Sequence, residues 1–160
     1  TINTQSILGS GDLTIGASLS TAQAFCTAET TLSAATYADI TGASISLAAG
    51  TWIIFATANG SSQTTTATSM IVAITDSANA VIAEASQDIA AGTATIRTWG
   101  NLSLSAIVTP TGTTTYKLRG ARGTTTRTGN CIISDGVGIA TNNVSNNSDK
   151  STSIRAIKIA

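Results

Sequence analysis

The chain has 160 residues, of which 42% are hydrophobic and 10% are charged, and its formal net charge is zero. This length suits a single domain with a packed core. The sequence contains no histidine and only two cysteines, which excludes a Ser-His-Asp triad, the commonest zinc ligand and a four-thiolate metal site. Soluble domains usually carry about 25% charged residues. A chain with far fewer charges is prone to self-association.

The charges are unevenly distributed along the chain. Residues 1–96 carry six acids and no Lys or Arg, whereas residues 97–160 carry all eight bases and two acids. Two interpretations stay open: strands of the two halves pair within one sandwich, or neighbouring subunits present complementary surfaces. Neither indicates nucleic-acid binding, because no basic run is accompanied by exposed aromatic residues.

Residues 1–24 differ from the rest of the chain and are predicted to form an N-terminal arm. Their apolar residues are scattered among Gly, Ser and Thr, and a terminal arm of this kind orders only when something ties it down. A short helix from Leu19 to Phe25 is an alternative for its end. A neighbouring subunit or an underlying surface would order the arm. The residues of the arm that would contact it are Ile2, Ile7, Leu8, Leu13 and Ile15.

From Phe25 onward, β-branched and alternating segments recur about every ten residues between turn signals, which is typical of an all-β sandwich. We therefore predict a second region, residues 25–160, built from antiparallel strands. The predicted strands lie at 25–31, 36–40, 43–48, 51–59, 68–76, 80–87, 93–98, 101–109, 113–122, 129–135 and 152–159.

The segment Tyr37–Asn59 is the most informative part of the sequence. Its first arm alternates, with Ala43, Ile45 and Leu47 on one side, and a turn follows at 48–50. The next strand is apolar on both sides and therefore needs cover on both sides. One cover is the second sheet of the same chain, and we expect the other to be another subunit. The predicted subunit interface consists of Trp52, Ile53 and Phe55.

Two later strands show the same alternation around the only proline. The segment Leu102–Val108 is predicted to bury every second residue. After the turn that contains Pro110, Tyr116 and Leu118 are predicted to point into the core.

Cys26 and Cys131 are separated by 105 residues of sequence. They either pack as small apolar thiols or form a disulfide between distant strands, and their number alone does not decide between these states.

Trp99 is the best candidate for an exposed ligand contact, because it stands beside Gly100 at a predicted strand break. It would stack against a sugar, although core or interface packing is the commoner role of tryptophan.

Motifs for catalysis and cofactor binding are missing. The sequence has no GxSxG elbow, no glycine-rich phosphate loop and no calcium loop, and Asp39, Asp76 and Asp135 are expected to cap turns. No apolar run approaches the length of a membrane span. We expect a protein that is not an enzyme and that uses no cofactor, metal or membrane.

Four segments carry a resemblance to a known family. In order, they are YADITGASISLAAGTW, MIVAITDSANAVIAEA, LSAIVTPTGTTTYKLRG and SIRAIKIA. Together they resemble the jelly-roll domains of the tumour-necrosis-factor and complement-globular-head type, particularly the versions in bacteriophage fibres, fibre knobs and head-decoration proteins, over about residues 25–160. The resemblance implies a two-sheet antiparallel jelly-roll sandwich, a homotrimer, and a structural or adhesive role in a virion.

Only about 24 residues precede the predicted domain, whereas fibre proteins of this type usually have a long shaft. This favours a trimeric decoration protein that cements the capsid surface by binding the major capsid protein or other virion proteins. One alternative is a fibre knob that binds a receptor or a host surface glycan. Another is a subunit of a secreted extracellular filament, in which residues 1–24 complete the sheet of the next molecule.

Overall fold

The computed structural model describes residues 19–62, 64–93, 98–123, 129–133 and 152–160. These residues form ten β-strands, and none of them belongs to a helix that could cross a membrane. The strands are β1 Thr21–Phe25, β2 Thr30–Thr31, β3 Ala38–Leu47, β4 Trp52–Ser62, β5 Thr68–Thr75, β6 Val81–Ile89, β7 Thr98–Val108, β8 Thr114–Arg122, β9 Ile132–Ile133 and β10 Ser153–Lys158.

The strands form two antiparallel sheets. In the first sheet β4 is central: it pairs with β7 along one edge, and with β10 and the short β9 along the other. Beyond these, β1 pairs with β10 and β2 pairs with β9. The second sheet has the order β3-β8-β5-β6.

The pairing is nested along the chain. The pairs β1–β10, β3–β8, β4–β7 and β5–β6 each join an early strand to a later one, and they alternate between the two sheets. This is the arrangement of a jelly roll, in which one long folded ribbon wraps into a two-sheet sandwich. The predicted all-β class, a sandwich of two antiparallel sheets, is therefore confirmed.

The core lies between the two sheets and follows the predicted alternation. Ala43, Ile45 and Leu47 of β3 are buried, as are Tyr116 and Leu118 of β8. The inner face of the first sheet meets them with alternate residues of its four main strands. Its buried members include Ile54, Ala56 and Ala58 of β4, Leu102 and Val108 of β7, and Ile154 and Ala156 of β10.

Several strand boundaries differ from the sequence prediction. The segments 36–40 and 43–48 belong to a single strand, β3, whose register shifts between Asp39 and Ser44 around Gly42, a residue with φ of 84°. Gly100 does not break a strand, because β7 runs through it; residues 94–97 lie outside the described part.

The structure also differs from the sequence prediction at the beginning of the domain. Residues 21–25 form a strand rather than the helix considered for Leu19–Phe25. β1 pairs residue by residue with β10, so the last four residues of the predicted arm belong to the first sheet. Residues 1–18 lie outside the described residues.

Candidate functional site

A row of isoleucines crosses the outer face of the first sheet. Ile107 of β7 lies opposite Ile53 of β4, and Ile53 lies opposite Ile157 of β10. Ile107 is 68% exposed, Ile157 is exposed and Ile53 is half-buried. Large β-branched side chains side by side on a solvent-facing sheet create a continuous apolar surface.

Phe55 extends this row along β4. It stands two residues after Ile53 on the same side of the strand and is 46% exposed. We call Ile53, Phe55, Ile107 and Ile157 the apolar face. At one end of the sheet it is extended by the exposed Ile159 and Leu19.

A groove of about 700 Å³ runs over β10 beside the apolar face. Phe55 of β4 forms one wall and Thr21 and Gln23 of β1 form the other. Its floor includes Arg155, whose guanidinium carbon lies 5.4 Å from the centroid of the Phe25 ring. The groove therefore combines apolar and hydroxyl groups with one cation.

The strands of the two sheets differ in their content of charged residues. The four main strands of the first sheet contain two charged residues, Arg155 and Lys158. The four strands of the second sheet contain six charged residues: Asp39, Glu84, Asp88, Lys117, Arg119 and Arg122. A charged outer face is adapted to water, whereas an apolar one is adapted to contact with protein.

The charged residues of the second sheet form cross-strand contacts. Arg119 Nε lies 2.6 Å from Asp39 Oδ1, and Lys117 Nζ lies 3.0 Å from Asp39 Oδ2. Partial burial opposes ionisation of Asp39, but the hydrogen bonds and charges of the two cations outweigh it and hold the Asp39 pKa below its usual value. This carboxylate therefore joins β3 to β8.

A further contact spans the same face. The Tyr37 hydroxyl, next to the start of β3, donates to Glu84 of β6, at the opposite edge of the sheet. Burial and the Glu84 carboxylate both raise the Tyr37 pKa well above its usual value. The Tyr37 hydroxyl and the Glu84 carboxylate thus satisfy each other across the outer face of the second sheet.

The structure separates the three residues predicted for a subunit interface. Ile53 and Phe55 lie on the apolar face, but Trp52 is 4% exposed in the core and donates its Nε1 hydrogen to the Ala48 carbonyl at 2.9 Å. Its assignment to a surface is corrected, because successive residues of β4 point to opposite sides.

The sequence analysis missed Ile107 and Ile157. Each is an apolar residue on the solvent-facing side of a strand whose other side is buried. That signal was present in LSLSAIV and SIRAIKIA. Only the register shows that the two residues flank Ile53.

Trp99 lies at the far end of β7, on the same outer face as the apolar face, and is 43% exposed. Near it, Asn101 of β7 donates a hydrogen bond to Asn59 of β4. This end of the outer face is polar, since Thr57 and Ser103 form the next pair.

Both cysteines are buried and they are not joined by a disulfide. Cys26 Sγ donates to the Ala28 carbonyl at 3.0 Å. Burial raises the pKa of the Cys131 thiol to about 12, despite the opposing charge of Arg122. Both side chains belong to the core cluster.

The remaining residues that the sequence analysis singled out lie in different structural environments. Asp76 caps the turn before β6, because its Oδ1 accepts from the amides of Ala78 and Ala80, each at 2.9 Å. The turn prediction is wrong for Asp39, which lies in a strand and forms ion pairs. Asp135 lies outside the described residues, as do the predicted arm contacts Ile2, Ile7, Leu8, Leu13 and Ile15.

Among the residues described, no group of three His, Cys, Asp or Glu side chains could hold a metal ion.

Comparison with known proteins gave matches among solved structures. No protein-family model and no curated protein matches the chain. A chain from the structure of the infectious bursal disease virus Gx strain is similar with a TM-score of 0.39 and 8% sequence identity. The match covers 89% of this chain but 37% of the virus chain, so the chain spans well under half of that neighbour. Similarity at this level supports no transfer of function.

Proposed function

We propose that the protein is a non-enzymatic structural subunit of a virion, a homotrimer that decorates the capsid and stabilises it. The observation that carries this proposal is the contrast between the apolar face and the charged second sheet. An exposed cluster formed by Phe55, Ile53 and Ile107 is unfavourable in water and is typical of a surface that another protein covers. The jelly-roll fold and the resemblance of the sequence to head-decoration proteins support the same assignment.

The apolar face would form the contact between copies. Covering it removes large apolar side chains from water, while the ion pairs of the second sheet stay hydrated. Residues 1–18 would then bind the major capsid protein or other virion proteins. Three arms on one trimer bind together, so the overall affinity exceeds that of a single arm.

The oligomer is tested by sedimentation velocity over a range of micromolar concentrations. We expect a trimer for the wild type and monomers for Phe55→Asp and Ile107→Asp, because each places a carboxylate in an apolar contact. Ser44→Asp makes the same change in charge on the exposed outer face of the second sheet and should leave the trimer intact. A monomeric wild-type protein would exclude the proposed assembly.

Attachment to capsids is tested separately by deleting residues 1–18, which precede β1. In the decoration hypothesis, the shortened protein remains trimeric but no longer sediments with capsids from the native source. In the extracellular-filament hypothesis, the same deletion abolishes polymerisation. Unchanged binding to capsids would contradict the role proposed for the arm.

A second candidate function, a glycan-binding knob, rests on Trp99. An exposed indole ring beside the hydrogen-bonded pair Asn59 and Asn101 offers both a stacking surface and amide groups to a sugar. In a glycan-array assay, the knob hypothesis predicts that the wild-type protein binds and that Trp99→Ala does not. A wild-type protein that binds no glycan would exclude this alternative.

A further inference from the structure

The groove over β10 has a cation in its floor and no acid in its lining. Arg155 is exposed and lies on β10 between Gln23 of β1 and Phe55 of β4. Within the described residues it makes no ion pair, and β1, β4, β7 and β10 contain no Asp or Glu. A negatively charged group of an occupant would therefore supply the counter-charge that these strands lack.

The guanidinium of Arg155 is restrained by an aromatic ring. Its Cζ atom lies 5.4 Å from the centroid of the Phe25 ring, which is a cation–π distance. A ring contact of this kind restricts the side chain without saturating the five N–H donors of the guanidinium. The planar group thus remains able to bind a carboxylate through two parallel hydrogen bonds.

The two walls of the groove differ in chemistry. Phe55 on one side is 46% exposed and offers an aromatic surface. Thr21 and Gln23 on the other side are exposed and offer a hydroxyl and an amide. The floor adds a hydroxyl pair, in which Ser153 Oγ lies 3.1 Å from Thr57 Oγ1. An occupant of the groove therefore meets one apolar wall, one polar wall and a cation between them.

A sugar that carries a carboxylate matches all three features. A sugar ring has C–H groups on its faces and hydroxyls around its edge, so one face can pack on Phe55 while the edge meets Thr21 and Gln23. A fatty acid would leave the hydroxyl and amide wall unmatched, and a neutral sugar would leave Arg155 without a counter-charge. The groove volume of about 700 Å³ is within the range of small-molecule sites.

We propose that the groove over β10 binds an acidic saccharide, whose carboxylate pairs with Arg155 and whose ring packs against Phe55. The inference goes beyond the proposed function and does not require self-association. Ile107, the most exposed residue of the apolar face, lies on the other side of β4 from the groove. The site is also separate from Trp99, which pairs with Ser61 at the far end of β4.

The test is a saturation-transfer NMR titration of the full chain. Ile107→Asp is measured beside the wild type, because it keeps the groove and should remain unassembled. Two probes distinguish the source of the carboxylate: tetragalacturonate carries uronic acids, and sialyllactose carries a sialic acid. At least one of them should bind. The matched neutral sugars, methyl-esterified tetragalacturonate and lactose, should bind about tenfold more weakly or less, because a charged hydrogen-bonded pair is lost.

Substitutions then locate the binding site. Arg155→Gln should raise the dissociation constant of the bound acidic sugar by about tenfold or more. Lys158→Gln removes the same charge from the opposite side of β10 and should leave binding unchanged. Phe55→Leu keeps an apolar side chain without the ring and should weaken binding, whereas Trp99→Ala should bind like the wild type. Thermal unfolding followed by circular dichroism verifies that each variant is folded.

Three results would overturn the inference: neither acidic sugar binds, the neutral sugars bind equally well, or Arg155→Gln binds like the wild type. Pentaglutamate that binds as tightly as the sugars would also overturn it, by identifying an acidic peptide as the occupant. These outcomes are distinct from a failure of the proposed function. A monomeric wild type in sedimentation velocity would exclude the proposed assembly and leave the saccharide site unaffected.

Discussion

Gly60 of β4 lies directly opposite Gly100 of β7, and both face the second sheet. A Cβ atom added to Gly100 would lie 2.8 Å from Ile89 Cγ1, and one added to Gly60 would collide with Met70 Sδ. Ile89 and Met70 are fully buried. The two glycines therefore create the space into which the second sheet packs at this end of the core.

Gly100→Ala should lower the free energy of unfolding by about 1–3 kcal/mol, because the added methyl group overpacks the site against a branched side chain. Gly60→Ala should cost less, since the flexible Met70 side chain can move. Urea unfolding at neutral pH measures both changes. Gly112→Ala is the matched control, because no atom lies within 4 Å of the added Cβ, and equal effects at Gly100 and Gly112 would contradict this account.

The two sides of β4 should respond differently to truncation. Trp52→Ala removes a buried side chain and should cost about 3–5 kcal/mol of folding free energy. Phe55→Ala removes an exposed side chain, so it should weaken assembly while leaving the unfolding of the dissociated monomer within about 0.5 kcal/mol of the wild type. Urea unfolding of dilute protein and sedimentation velocity distinguish the two effects. The same loss of monomer stability in both variants would show that Phe55 is part of the core.

Asp39 should contribute to stability in a pH-dependent way. Its pKa is lower in the folded protein than in the unfolded chain, so its ionised form stabilises the fold above about pH 4, and this stabilisation disappears as the pH falls through the folded value. Because the side chain is half exposed, Asp39→Asn should cost a few tenths to about 1 kcal/mol at neutral pH. Urea unfolding should show a much smaller difference near pH 2. An equal difference at both pH values would exclude an ionic origin.

Cys131 should be unreactive in the folded protein. Burial raises its pKa to about 12, and the reactive thiolate is therefore scarce at pH values near 8. In a Cys26→Ala background, mass spectrometry should detect alkylation by iodoacetamide only when urea unfolds the chain. Thr111→Cys, in the exposed turn before β8, provides a reference thiol that should react at once. Rapid labelling of Cys131 without denaturant would contradict its burial.

Local patterns in the sequence were sufficient to predict the sandwich, because the alternation of β3 and β8 depends only on which side of each strand is buried. The same local patterns were insufficient to predict where each strand begins and ends. Gly42 and Gly100 resemble breaks in the sequence, yet one occupies a bend within a strand and the other accommodates Ile89. A glycine in the sequence does not show whether the chain turns there or whether two sheets approach each other closely.

The apolar face could be predicted only in part. Phe55 and Ile53 are adjacent along β4, so their pattern is local. Ile107 and Ile157 join them only through cross-strand register, which connects residues about 50 and 100 positions apart. Trp52 was misplaced because a continuously apolar strand does not indicate which of its two sides is internal.

The position of β10 has a consequence for biosynthesis. β10 lies between β1 and β4, although both of these strands are made much earlier during translation. Until its six residues leave the ribosome, the hydrogen-bonding edges of β1 and β4 that it will occupy are open to water or to other chains. The first sheet should therefore close only after β10 has been synthesised, at the slow rate typical of contacts distant in sequence, and nascent chains would need protection from aggregation during that interval.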